Sequence, residues 1–258
     1  MKKVSRNYQT GFVGIHTNLL DIERRREKAR KVDFLLKKYA PQIQYNTAQC
    51  LDIGCAAGLM TSILADFFGY TIGAEYDFMA IRDHPSVNPR GAFICSDAMA
   101  LPFPKNCLDV IICAQVYEHV PDDTRLVAEM YRVLRPGGVI FFSGPNKAFP
   151  IELHYNVPFL QWLPQDTADT LLHLLRKGNH FYERLRTGRE LRQLFNQFLI
   201  MDASLDVILN SDQFMSRKSF RRFVKWIPVF LWRIILPLVP NFNWILVKPR
   251  LDGHEIEI

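Results

Sequence analysis

Leu51-Asp52-Ile53-Gly54-Cys55-Ala56-Ala57-Gly58 is an apolar run that ends in a turn of small residues. Cys50–Ile53 has the length and composition of a buried strand, and Leu59–Phe68 reads as a helix. Gly54 accepts a positive φ and lets a ligand approach the backbone, and Gly58 lets helix and strand pack closely. A pyrophosphate-binding turn needs G-x-G-x-x-G, but Ala56 and Leu59 occupy its second and third glycine positions. That disfavours a nicotinamide dehydrogenase.

Outward from this turn, apolar runs alternate with helical stretches. Thr71–Ala74, Phe93–Cys95, Asp109–Cys113 and Val139–Ser143 read as strands, and Asp123–Leu134 as a helix closed by Arg135-Pro136-Gly137-Gly138. Strands apolar on both faces and separated by helices imply a parallel sheet covered on both sides. The expected fold is therefore α/β, a Rossmann-like doubly wound sheet. Ahead of it, residues 1–45 form an N-terminal extension with a helix over Asp21–Tyr39. Ala29, Val32, Leu35, Leu36 and Tyr39 make that helix's apolar stripe.

Regular alternation stops at Gly144. Residues 147–186, rich in proline and aromatics, read as an insert after the fifth strand, with a helix near Ala168–Lys177. Thr187-Gly188-Arg189-Glu190 matches a capping box and opens a helix to about Phe198. Leu199–Leu209 is expected to return to the sheet, and Asn243–Val247 to be the last strand.

Acids stand at two successive strand ends. Glu75 lies about 20 residues after the turn, where a carboxylate accepts from ribose hydroxyls. Asp97 follows the third strand, where a carboxylate can accept from an adenine amino group. No His/Cys/Asp cluster has metal-ligand spacing, and no G-x-S-x-G elbow is present.

Together with the turn, six blocks in order resemble one family, the class I S-adenosylmethionine-dependent methyltransferases with a type 11-like domain. The blocks are 51–58, 73–77, 96–103, 108–111, Val116-Tyr117-Glu118-His119-Val120-Pro121 and 132–138. The resemblance spans residues 48–145, and more weakly 187–209. It implies a seven-stranded sheet with an antiparallel last strand over 46–258. It places Asp52, Gly54, Cys55, Ala56 and Gly58 against the methionine part of S-adenosylmethionine. It places Glu75 and Tyr76 at the ribose, Asp97 and Ala98 at the adenine, and Gln115 beside the methyl group. Ala57 departs from the family, whose members often carry a glycine or polar residue there.

The chemistry implied is methyl transfer, first to oxygen of a small, sugar-linked or lipid-linked acceptor. His119 and His154 are the candidate bases, and His180 is a weaker one. Alternatives are a nucleic-acid methyltransferase and a protein that binds the donor without turnover. The net charge of +6 favours nucleic acid, but Ala114-Gln115-Val116-Tyr117 replaces the Asn/Asp-Pro-Pro-Tyr type motif after the fourth strand.

Composition adds a setting. Hydrophobic residues make up 48% and charged residues 22%, which excludes disorder, and five cysteines without a C-x-x-C pair imply a reducing, cytoplasmic compartment. Met1-Lys2-Lys3 has no apolar run behind it, so a signal peptide is not expected. Within the basic-then-apolar stretch 211–240, Arg217, Lys218, Arg221, Arg222 and Lys225 directly precede a 22-residue stretch, Trp226–Val247, whose only charge is Arg233. Pro228, Pro237 and Pro240 argue against a membrane-spanning helix there. Two readings stand instead: Trp226–Leu236 packs on the sheet as the helix before the last strand with its cations solvated, or the stretch meets an anionic membrane surface.

Overall fold

The computed structural model describes residues 21–82, 89–214 and 227–250. Five parallel strands form first: β1 (Gln49–Ile53), β2 (Tyr70–Glu75), β3 (Gly91–Cys95), β4 (Leu108–Ala114) and β5 (Leu134–Pro145). The sheet order is β3-β2-β1-β4-β5-β9-β8, with β8 at Leu199–Asp202 and β9 at Asn241–Val247. β9 is antiparallel to both neighbours, so the expected seven-stranded sheet with an antiparallel last strand is present. The order reverses between β1 and β4, which opens a crevice at their carboxyl ends, where ligands bind in such sheets.

Alternation along the strands fills two cores. Leu51, Ile53, Ile111, Cys113, Ile140, Phe142, Trp244 and Leu246 share one face with Leu126 and Met130 of α4 (Asp123–Val133). Cys50, Val110, Ile112, Val139, Phe141 and Ile245 share the other. That second face is covered by α1 (Ile22–Tyr39), which buries Ala29, Val32, Leu35 and Leu36, and by Met60 and Leu64 of α2 (Leu59–Leu64). Burying a Val or Leu side chain contributes about 1.5–3 kcal/mol, so α1 is a structural layer of the fold. Its Asp21 cap accepts the N–H groups of Glu23 and Arg24. A short helix, α3 (Phe78–Arg82), follows β2.

The insert folds on its own small core. A two-stranded hairpin, β6 (Ile151–Glu152) with β7 (Val157–Pro158), precedes α5 (Gln165–Leu174), and Val157, Leu160, Ala168, Leu172 and Phe181 are buried together. The capping box opens α6 (Gly188–Leu194) as expected.

The boundaries of five elements differ from the expectations above. Arg135-Pro136-Gly137-Gly138 follows the end of α4 as expected, but it lies inside β5, which was expected to begin only at Val139. Leu134 already pairs with Leu108, and the register shifts before Val110 pairs with Val139. Pro136 has no N–H and Gly137 sits at φ 80°, so the four residues form an irregularity within β5. Leu199–Leu209 is only half strand. Asp202 Oδ1 accepts the Ser204 N–H at 3.1 Å, and Ser204–Leu209 continues as helix α7. The helices expected to reach Phe68 and Phe198 stop at Leu64 and Leu194, each followed by a turn. The insert helix begins and ends three residues earlier than its expected span.

After α8 (Ser211–Phe214), the basic run Arg217–Lys225 and Trp226 lie outside the described residues. Beyond them, α9 (Val229–Ile235) begins after Pro228 and buries only Trp232. Among the described residues no helix is long and apolar enough to cross a membrane.

Candidate functional site

The turn after β1 is wound tightly. Gly54, Ala56 and Gly58 have φ of 67°, 50° and 69°. A Cβ on Gly54 would lie 2.7 Å from Val116 Cγ2, so glycine is required there by both space and backbone conformation. The missing side chain thus lets Val116, on the loop that follows β4, pack directly against the turn. Ala56 holds its left-handed conformation against the ordinary preference of a Cβ-bearing residue. Its N–H donates to Glu75 Oε2 at 2.9 Å, while Glu75 Oε1 accepts from Tyr76 and Asp77 at 2.8 and 3.0 Å. One carboxylate therefore ties the turn after β1 to the end of β2.

Asp52 faces the other way, inside the junction of β1 and α2. Its Oδ2 accepts from Thr61 Oγ1 at 2.7 Å. Burial pushes its pKa up to about 6, against the Thr61 hydrogen bond and the positive charge of Arg25 on α1. The Cys55 thiol is buried. Asp97 Oδ1 accepts the Met99 N–H at 2.8 Å, which closes a turn after β3 next to Ala98. Gln115, at φ 63°, follows β4 and donates its side-chain amide to Asn241 Oδ1 at 3.2 Å. Apart from Asp52, which is turned into the junction of β1 and α2, the expected donor-site residues stand at the carboxyl ends of β1, β2, β3 and β4.

A second group lies beyond β4. The His119 and His154 rings meet edge to face with centroids 5.2 Å apart, although 35 positions separate them in the chain. The insert brings them together. Its returning segment bonds to the loop after β4: Arg184 N–H to Glu118 O at 2.9 Å, Arg186 N–H to Tyr117 Oη at 3.1 Å, and the Arg186 guanidinium to Asp123. Tyr117 Oη in turn donates to Pro145 O at 2.6 Å. The β6–β7 hairpin then carries His154, whose Nδ1 lies 2.8 Å from Glu152 Oε1.

Three carboxylates crowd this group: Glu118, Glu152 and Glu183, all buried. Burial raises the Glu118 pKa to about 7, with His154 opposing the rise. Burial lowers the pKa of His154, but the Glu152 hydrogen bond and the charges of Glu118 and Glu183 outweigh it and hold the ring at about 9. The site can therefore store and move protons near neutral pH. Sequence reading missed the part these carboxylates play, because nothing in their spacing marks them as buried. The only available signal was the adjacency of Glu118 to His119. His180 lies outside the group, half-exposed and paired with Asp169 Oδ2 at 2.8 Å. The chain has no metal-ligand spacing, yet the fold brings possible ligand atoms of Glu118, His119 and His154 within 4.8 Å of one another.

Comparison with known proteins places this geometry among relatives. Residues 51–142 match a family model described as a methyltransferase domain. A ubiquinone biosynthesis O-methyltransferase of Coxiella burnetii is 29% identical over 162 residues, which are 61% of this chain and 65% of that protein. The chain thus spans just under two thirds of that relative's length. An S-adenosylmethionine-dependent methyltransferase from Mesorhizobium loti shares the fold at TM-score 0.54, with 14% identity over 80% of this chain and 93% of that one. The [4+2]-cyclase SpnF shares it equally well, at TM-score 0.54 and 17% identity, over 86% of this chain and 80% of that one. A fold shared with a cyclase does not by itself specify the reaction.

Proposed function

We propose, from the membership of residues 51–142 in the class I S-adenosylmethionine-dependent methyltransferase family, that this protein methylates an oxygen on an amphiphilic acceptor at a membrane surface. The observation that carries the reading is the pairing of two half-sites: a left-handed glycine turn tied to Glu75 at the ends of β1 and β2, and a buried Glu–His group against the insert.

The residues present fit the donor. Gly54 exposes its backbone without a side chain of its own in a left-handed turn, and the Glu75 carboxylate is tied to that turn, where ribose hydroxyls can replace backbone N–H donors. Asp52, Cys55, Ala56 and Gly58 build the cradle, Tyr76 flanks Glu75, Asp97 and Ala98 take the adenine, and Gln115 borders the reacting end. Bound there, S-adenosylmethionine supplies an electrophilic methyl group and leaves as a neutral thioether. The chain's work is to hold the acceptor in line and take its proton. His119 receives that proton, with Glu118 Oε1 3.8 Å from its Nε2 to stabilise the imidazolium that forms, while His154, held at about 9 beside Glu152, is already charged near neutral pH.

Oxygen is favoured as acceptor by the relationship to the Coxiella burnetii enzyme, whose name records O-methylation. An amphiphile is favoured by the surface. Phe159 and Trp162 of the insert are about half exposed, and Phe230 and Ile234 of α9 are 62% and 67% exposed. Aromatic and aliphatic side chains beside a basic run suit the headgroup boundary. We assign residues 46–258 to the catalytic domain and 147–186 to acceptor binding.

Incubation with methyl-labelled donor and fractionated cell extract tests the reaction. The expected result is label in the organic-soluble fraction, stable as an ether. Donor binding with no fraction labelled would identify a non-catalytic binding protein, and label in nucleic acid would overturn the acceptor class.

A further inference from the structure

We propose that Glu118, His119 and His154 bind a divalent first-row transition-metal ion, with Glu152 as the positioning residue that orients His154. The existence of this site does not depend on methyl transfer. Its use, activation of an acceptor hydroxyl, rests on the reading above.

Geometry carries the inference. One ligand atom from each of the three residues lies within 4.8 Å of the others. Zn²⁺-type bonds are about 2.0–2.2 Å long, so ligand atoms around one ion stand about 3–3.6 Å apart. Side-chain rotations of about 1 Å close the difference, and the three residues sit on a loop and a hairpin turn that can supply them.

Glu118 gives the second, independent observation. It is 0% exposed, and neither carboxylate oxygen has a hydrogen-bond partner. Among the described residues its ion-pair contact is His119 Nε2 at 3.8 Å, with no lysine or arginine at that range. The charges of His154 and Lys28 act on it, but neither bonds its oxygens, and a buried carboxylate without direct partners is costly. Glu183, also buried, adds negative charge to the same pocket.

The surroundings of His154 match a metal ligand. Its Nδ1 is engaged by Glu152 Oε1, and Glu152 Oε2 accepts the Tyr155 N–H at 2.7 Å. A carboxylate on one ring nitrogen fixes the tautomer and leaves Nε2 as the basic ligand atom, the usual outer arrangement of metal-bound histidines. Two imidazoles and one carboxylate suit Zn²⁺, Co²⁺ or Fe²⁺ better than Mg²⁺ or Ca²⁺, which prefer all-oxygen shells. Three protein ligands leave coordination positions open, where an acceptor oxygen would bind and lose its proton more readily. With the ion in place the two histidines act as ligands, and the proton passes to solvent.

Titration of the chelator-treated, full-length protein with Co²⁺, read by visible absorption and calorimetry, tests the site. One Co²⁺ per chain should bind, displaceable by Zn²⁺. Glu118→Gln and His154→Ala should each weaken binding by at least about 10-fold, and Glu152→Gln by about 10–100-fold, the usual effect of an outer partner. His180→Ala, which alters an exposed His–Asp pair, should leave it unchanged. Circular dichroism on each variant separates lost ligands from lost fold, and Glu152→Gln keeps all three ligands in place. The proposal is overturned by no Co²⁺ binding, or by binding that is indifferent to Glu118→Gln, His154→Ala and Glu152→Gln in folded protein. Calorimetry with S-adenosylhomocysteine on the same samples separates the two readings: donor binding without metal binding removes only this inference.

Discussion

Replacing Glu75 with alanine strands three backbone N–H groups at once, those of Ala56, Tyr76 and Asp77. Hydrogen bonds to a charged acceptor contribute about 1.5–3 kcal/mol each when buried. Here the mouth of the crevice is half-exposed, and water can take over part of each bond. A net loss of about 2–3 kcal/mol is therefore expected, or a fall in Tm of about 4–12 °C for a chain of this size. Glu75→Gln keeps one oxygen and should lose about half as much. Donor affinity should fall as well, because the left-handed turn at Ala56 loses the anchor that holds it and the ribose loses its acceptor. The expected drop is about 1–3 kcal/mol, or about 5–150-fold in Kd. Thermal melts followed by calorimetry with S-adenosylhomocysteine measure both quantities. A folded Glu75→Ala protein with unchanged Tm and unchanged Kd would refute the reasoning, since the carboxylate would then be neither latch nor donor contact.

Three further outcomes follow from the structure. Gly54→Ala should cost about 2–4 kcal/mol through positive φ and contact with Val116, and Gly54→Ala with Val116→Ala should recover the contact part only, as read in a denaturant-based double-mutant cycle. Asp52, whose pKa rises from 3.8 to about 6 on folding, binds more protons in the folded state across that window. Its contribution therefore falls as pH rises from about 4 to about 6, by on the order of 2–3 kcal/mol, and Asp52→Asn should flatten the stability–pH profile there; an unchanged slope would count against the buried charge. Phe230→Asp with Ile234→Asp should preserve the melt and abolish co-sedimentation with anionic liposomes, because both side chains are largely exposed; binding that survives the pair would remove α9 from the membrane surface.

The parallel sheet was legible because its strands are buried on both faces and so read as unbroken apolar runs. The turn at Gly54–Gly58 was legible for a steric reason, since small residues are needed where a backbone must turn left-handed beside β4. The start of β5 was not. Pro136 and Gly137 break helices and also break strand ladders, and only the pairing of Leu134 with Leu108 separates the two uses. The return from β8 was missed because Leu199–Met201 and Leu205–Leu209 are both largely apolar, and the Asp202-Ala203-Ser204 turn between them, with Ser204 N–H on Asp202, is short. The sequence marked His119 and His154 singly. What sequence could not carry was their meeting, or the buried carboxylates around them, because the insert assembles that group from segments far apart in the chain.

The central claim is that the crevice at the ends of β1, β2 and β3 holds a sulfonium nucleoside through Glu75 and the glycine cradle. Calorimetric titration of the purified protein with S-adenosylmethionine, in the presence and absence of excess NAD, tests it most directly. The account predicts saturable one-to-one binding that NAD does not displace and that Glu75→Ala weakens. Tighter binding of NAD than of S-adenosylmethionine, or no binding of S-adenosylmethionine to folded protein, would contradict it.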